Sequence, residues 1–437
     1  LRSKDVQKDI ERMRVALANS DGKVHLIRYT DPQGVEVYTR TAQFVLFLAI
    51  RRLWPKSDAT MSFTVGSGLY VKVENAPDFS AEVLRENVDK IVAEDIPLIR
   101  RRISTAEAIE HYKRMGETDK ARLLSYRTTP TFDIYEQGDF ADYFYGEVAP
   151  STGYLRSYDI LETEGGFIFV FPQKKCPDRV SQFKEQPHLF SVCHEGKEWG
   201  ELMECETVAD LNELVESGRI RELIRINEAL HEKRFSQVAD MICERGAKAV
   251  MLAGPSSSGK TTSANRLATQ LRVHGKTPIL MSLDDYYIDR DKIAPGPDGK
   301  IDLEHINTID TELFCQQLSE LLSGKEVEIP TFSFKLGKRV WEGHRMRLNE
   351  NSVIIVEGIH GLNDLLSHSL PRKNKFKIYI SALTQLNVDE HNRIPTTDGR
   401  LIRRIVRDAR TRGASAERTI LMWPSVRRGE QDNIFPY

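Results

Sequence analysis

Ala249-Val250-Met251-Leu252-Ala253-Gly254-Pro255-Ser256-Ser257-Ser258-Gly259-Lys260-Thr261 is the stretch from which the fold of this 437-residue chain is read. Five apolar residues form a short strand, and the next eight fit GxxxxGK[ST] at every fixed position. Gly254 and Gly259 permit backbone angles barred to other residues, so successive N–H groups can turn inward on an anion. A helix pattern follows over Thr261–Val273, and its positive N-terminal end adds to the attraction. Lys260 reaches the outer phosphates of a nucleotide and the Thr261 hydroxyl is placed to ligate Mg²⁺. Gly254, Ser256, Ser257, Ser258, Gly259, Lys260, Thr261 and Thr262 are therefore the candidate nucleotide-binding residues. Three further apolar runs, Ile279–Leu283, Ser352–Val356 and Phe376–Ile380, read as strands. Strand, loop, helix and strand in this order predict a doubly wound parallel sheet covered by helices.

The phosphate loop does not by itself select a chemistry. A guanine-reading NKxD is absent, since Asn374-Lys375-Phe376-Lys377 ends in the wrong residue, and Leu322-Ser323-Gly324-Lys325 does not complete an LSGGQ-like signature. The second strand runs instead into Ser282-Leu283-Asp284-Asp285-Tyr286-Tyr287. A carboxylate at that strand end lies near the phosphates and can take a proton from an acceptor hydroxyl, which makes Asp284 the candidate catalytic base.

Composition bounds the rest. Lys and Arg number 62 against 64 Asp and Glu, a net charge of −2, which argues against a dedicated nucleic-acid or anionic-membrane binder. The longest clearly apolar run, Phe44–Ile50, is far short of the ~20 residues a membrane span needs. Five widely spaced cysteines without a CxxC pair predict neither a disulfide framework nor a cysteine zinc site. The expectation is a reduced, cytoplasmic, multi-domain protein without membrane partners. The first residues lack an initiator Met and an apolar leader, so the chain reads as a fragment or a processed form.

Gly254–Thr261, Ser282–Tyr287, Asp302–Asp310, Pro330–Arg339, Val353–Gly358 and Arg403–Gly413 together resemble the uridine kinase/phosphoribulokinase family, from about Ala247 onward. The resemblance implies a P-loop kinase using ATP and Mg²⁺ on the 5′-hydroxyl of a nucleoside or a related small sugar alcohol. It implies Asp284 as the base, with Lys260, Arg407 and Arg412 as the charges that serve catalysis. Glu304 would bind ribose hydroxyls, Glu357 would hold the metal with Thr261, and Phe332, Arg339 and Arg404 would contact the substrate. The arginines share a helix, with Arg400, Arg404 and Arg407 on one face. Base-reading positions depart from the family. Phe332 replaces an aromatic hydroxyl, Gly337 a His and Ala414 an Arg, which puts uridine itself in doubt. The chain also stops at Phe435-Pro436-Tyr437, where the family continues.

The preceding half resembles something else. Arg40–Pro55, Phe63–Val73 and Phe140–Pro150 are similar to the second additional domain of threonyl-tRNA synthetases, an α+β editing domain. Its HxxxH and CxxxH pairs would fall on Arg40 and Phe44, and on Phe144 and Val148, none of which retains the ligand type. The domain therefore reads as catalytically degenerate. The expected organisation is an N-terminal segment 1–36 that reads as the end of a truncated domain, the editing-like domain 37–172, a linker and helical connector 173–246, and the kinase domain 247–437, which reads as truncated at its C-terminus. A homo-oligomer is expected. Arg100-Arg101-Arg102 reads as a solvated helix end, and Asp31-Pro32-Gln33-Gly34 as a turn. A nucleotide-regulated RNA- or tRNA-binding protein, with the P-loop as a switch, is the alternative, and leaves nucleic acid open for the N-terminal half.

Overall fold

The computed structural model describes residues 27–174, 176–180, 182–294, 304–333, 335–368, 370–384 and 386–436. Arg2–Asn19, whose sequence pattern predicts a helix, and Asp21-Gly22, which predicts a turn, lie outside these residues, as do Asp302 and Leu303. The chain divides into two compact units. One takes the residues up to Asn212 together with Gln385–Arg393, and the other takes Glu213–Thr384 and Ile394–Tyr437.

The second unit is built on four parallel strands in the order Lys375–Tyr379, Ala249–Ala253, Ser352–Glu357, Thr277–Ser282. Alternate side chains of the inner strands enter two separate cores. Met251, Ile354 and Val356 pack with Tyr286, Phe314, Leu318 and Leu321 on one face. Val250, Leu252, Val353 and Ile355 pack with Leu267, Ala268 and Leu271 of the helix Lys260–Val273 on the other. A strand buried on both faces can be apolar throughout, which is why these runs lack the alternation of a half-exposed strand. The parallel arrangement brings the ends of three neighbouring strands to one edge. Glu357 is in register with Leu252 on one side and Ser282 on the other, so the phosphate loop, Glu357 and the Leu283–Tyr286 turn open from adjacent positions.

In the first unit the helix Pro32–Leu53 is buried continuously from Phe44 to Ile50. It packs on an antiparallel sheet ordered Asp58–Val65, Gly68–Glu74, Gly166–Val170, Asp159–Thr163, and on the helix Ala81–Glu94. Asp31 is the N-cap of that long helix and Pro32 its first residue, so the expected turn is a helix start, where a residue without an N–H costs nothing. Phe44 meets Phe140 and Phe144 edge-on at 5.2 and 6.4 Å, and Val148 joins the same core. Arg40 donates through Nε to the Glu147 carbonyl at 2.8 Å. Three of the four positions aligned with editing ligands are thus apolar core.

Arg100-Arg101-Arg102 is not a helix end. It lies in the strand Ile99–Ser104, paired antiparallel with Thr131–Gln137. The preceding helix stops at Asp95, whose φ of 46° turns the chain away. Arg100 and Arg102 both pair with Asp133, and Arg101 faces Glu107 and Glu136 at 3.1 Å. The run is neutralised across the sheet, which the spacing of three arginines does not reveal.

Beside that sheet lies a buried ionic network. Lys120 Nζ is 2.7 Å from both Asp142 Oδ1 and Glu117 Oε2. Asp142 Oδ2 is 2.5 Å from His391 Nδ1, and the His391 ring stacks on Phe47 at 3.5 Å between centroids. Tyr143 donates its hydroxyl to Asp389. Burial by itself would raise the Asp142 pKa, but Lys120 and His391 outweigh it and hold the carboxyl well below its ordinary range. Removing one partner of such a pair leaves a buried charge uncompensated. Asp142→Asn is expected to destabilise the unit by about 3 kcal/mol, at the low end of that class because Glu117 still faces Lys120. Denaturant unfolding followed through this unit checks it.

Candidate functional site

The phosphate loop is shaped before any ligand enters. Gly259 has φ of 101° and Ser257 φ of 60°. A side chain at Gly254 would place its Cβ 2.1 Å from the Ile380 carbonyl oxygen, so glycine is required there. Ser257, a non-glycine held in the left-handed region, stores about 1–2 kcal/mol of strain, in the one loop whose conformation has to be set in advance. The hydroxyls of Ser257 and Ser258 are buried and have no hydrogen-bond partner. Two orphaned donors beside the first turn of Lys260–Val273 fit the oxygen-rich triphosphate of a nucleotide. Thr262 is exposed on that first turn.

Lys260 Nζ lies 3.4 Å from the Pro255 carbonyl oxygen. Burial lowers its pKa, and the charges of Glu357, Asp284 and Glu304 oppose the fall. The Thr261 hydroxyl donates to Glu357 Oε1 at 3.0 Å. Burial raises the Glu357 pKa, against the pull of Lys260. Among the described residues no cluster of three His, Cys, Asp or Glu side chains is preassembled for a metal. That donor set still suits magnesium, which takes one or two protein oxygens and completes its shell with phosphate and water.

Asp284 lies in the turn Leu283–Tyr286, whose start is capped by the Ser282 hydroxyl accepting the Asp284 N–H at 3.3 Å. Burial raises its pKa, and Lys260, Arg412 and Arg407 pull it down. A carboxylate with raised proton affinity among cations is suited to accept a hydroxyl proton. Tyr287, which the sequence reading did not single out, is buried enough for its hydroxyl pKa to rise well above the ordinary value, and it feels the charges of Asp284 and Glu304. Its ring is edge-on to Phe332 at 5.5 Å.

Several expected substrate contacts are occupied by the protein itself. Arg339 pairs with Asp310 at 2.9 Å and donates to the Tyr286 and Tyr287 carbonyls at 3.2 and 3.3 Å. These contacts make it a clamp that fixes the Asp284 turn rather than a substrate ligand. Phe332 is 7% exposed and donates its N–H to Asp285 Oδ1 at 3.2 Å, so its part is packing. Arg404 donates through Nη1 to Ser256 Oγ at 2.7 Å and faces Asp408 at 3.3 Å. Arg407 is held on Asp408 Oδ1 by Nε and Nη2, at 2.9 and 2.7 Å. Arg412, with over half its side chain exposed, is 3.8 Å from the same carboxylate. Burial lowers the Arg404 pKa, and Asp408 counters it. Asp408 is thus the hub that gathers three arginines, and no feature of the spacing singles it out. Gly337 has φ of 66°, and a Cβ there would meet Arg290 Cδ at 2.8 Å. The position is a turn, not a place from which a side chain reads a base.

Residues 249–434 match the phosphoribulokinase / uridine kinase family. The threonine–tRNA ligase of Desulforamulus reducens is 29% identical over 206 residues, 40% of this chain and 32% of that enzyme. That of Carboxydothermus hydrogenoformans is 30% identical over 155 residues, 34% of this chain and 24% of that enzyme. The chain spans a third or less of the length of these ligases. A crystal structure provisionally assigned as a fructose transport system kinase, from Silicibacter sp. TM1040, is 19% identical and covers 46% of this chain and 95% of its own, with a TM-score of 0.35. The N-terminal half of the chain is therefore similar to part of threonine–tRNA ligases, and its residues 249–434 match the model of the phosphoribulokinase/uridine kinase family.

Proposed function

We propose that this domain transfers the γ-phosphoryl group of ATP to the 5′-hydroxyl of a ribonucleoside. The observation that carries the reading is a half-buried Asp284 with raised proton affinity, set among the charges of Lys260, Arg412 and Arg407 at the mouth of a phosphate loop. Asp284 takes the hydroxyl proton as the new bond from oxygen to phosphorus forms and the bond to the β-phosphate oxygen breaks, releasing ADP. Lys260, Arg407 and Arg412 neutralise charge that spreads over the transferring oxygens. Thr261 and Glu357 would hold Mg²⁺, which supplies charge neutralisation on the phosphates when bound. Glu304 accepts hydrogen bonds from the ribose hydroxyls.

ADP release with uridine, cytidine, adenosine, guanosine, inosine and their 2′-deoxy forms tests the reading, with tRNA as a further arm. Ribonucleoside-dependent release supports it, whereas release stimulated by tRNA alone would replace it with a tRNA-handling switch. With Gly337 in a turn and Phe332 in packing, no polar group from these positions reads the base. Discrimination between bases is expected to fall well short of the ~10⁴–10⁵ that a hydrogen-bonding pocket gives. The 2′-deoxy forms should react more slowly than the ribo forms, and equal rates would remove Glu304 from its role.

A further inference from the structure

The helix Ala416–Asn433 holds none of the residues used above, yet two consecutive positions of it touch two different parts of the site. At Gly429 an added Cβ would stand 2.5 Å from Glu304 Cβ and 3.0 Å from its Cγ. These atoms are the root of the Glu304 side chain, not its mobile end, so a larger residue at 429 has to displace it. At the next position Glu430 is 3% exposed. Its carboxylate accepts the Ser256 N–H at 3.2 Å and pairs with Arg400 and, at 2.6 Å, with Arg427.

Arg400, 2% exposed, spends its guanidinium on Glu430 and on the Ser256 carbonyl at 3.0 Å, with its face over the Trp423 ring at 5.4 Å. It is a strut rather than a phosphate ligand, although it shares a helix face with Arg404. Both backbone groups of Ser256 are thereby fixed. A buried carboxylate on that N–H also repels any phosphate from it, so an anion is left to the amides that follow.

We propose that the Gly429-Glu430 step positions both halves of the reaction, with Gly429 seating Glu304 for the acceptor and Glu430 setting Ser256 for the nucleotide. The inference rests on the nucleoside-kinase reading, and its test separates the two. In the full chain, mant-ATP affinity is measured directly, and acceptor KM is measured with the ribonucleoside of the panel that the wild type turns over fastest. Gly429→Ala is expected to raise acceptor KM about tenfold while mant-ATP affinity stays within about twofold, as a small misplacement of one orienting group should. Glu430→Gln is expected to weaken mant-ATP about tenfold with acceptor KM within about twofold, and Glu430→Asp, which keeps the charge, to recover part of the loss. A merely structural role would lower the folded fraction and leave both constants of the remaining enzyme unchanged, which overturns the proposal. So would equal shifts of both constants in both variants. If the wild type phosphorylates none of the panel, the kinase reading falls, and the mant-ATP arm alone decides the role of Glu430.

Discussion

Asp284→Asn is expected to lower kcat by about 10²–10⁴ with little change in nucleotide affinity, the loss that follows removal of a positioned general base. The amide keeps the shape of the side chain and cannot take the proton. The burial that raises the Asp284 pKa also sets the sign of its effect on stability. A carboxyl whose folded pKa exceeds its unfolded value costs stability once pH rises above the folded pKa, and costs nothing below the unfolded value near ~3.9. At neutral pH the cost is present, so the Asn variant should melt at the same temperature as the wild type or higher. In the wild type the acid limb of kcat/KM should lie above the ordinary aspartate range, and in the variant it should vanish. Steady-state kinetics across pH, with thermal melts of both proteins, check this. Asp285→Asn is the control, because Asp285 is engaged with the Phe332 N–H. If that variant loses the activity and Asp284→Asn keeps it, the base is Asp285.

Lys260→Ala should reduce phosphoryl transfer by at least about 10²–10³, a loss on the order of 3–4 kcal/mol in the transition state. Lys260 is half-buried, so its charge acts at short range with reduced screening by water, and desolvation lowers its pKa. A lysine with a depressed folded pKa costs stability at every pH below its unfolded value of about 10.4, neutral pH included, so the truncation should not lower the melting temperature. Unchanged turnover would sink the kinase reading. Lost turnover with a lowered melting temperature would place Lys260 in the scaffold instead.

What was legible in the sequence follows from the range of the interactions involved. The phosphate loop, its strand and its helix are local, and each glycine in the loop answers a constraint set by its near neighbours or by one strand beside it. The two inner parallel strands, Ala249–Ala253 and Ser352–Glu357, announce themselves as apolar runs because both faces are covered. The arginine helix was legible as a periodicity, but its partners were not. Arg400 read only as a neighbour of Arg404 on one face, because nothing in Arg427-Arg428-Gly429-Glu430 marks an acid that closes on the loop. Arg339 read as a substrate contact for the same reason, since Asp310 reaches it across 29 positions. The Lys120–Asp142–His391 network joins positions up to 271 apart and has no local signature at all. Arg100–Arg102 was misread because a short strand with paired, solvent-facing charges carries no apolar alternation.

The segment Gln385–Arg393 gives the gene a constraint of its own. The chain passes between its two units after Asn212, after Thr384 and again after Arg393. A single recombination event at position 212 would exchange the second unit yet bring a foreign stitch to the first. That stitch supplies Asp389 to Tyr143 and His391 to Asp142, both in the interior, where losing one partner of a charged pair is costly. Either half can be traded only with its matching stitch. Substitutions at Asp142 and His391 are therefore expected to be tolerated together rather than singly.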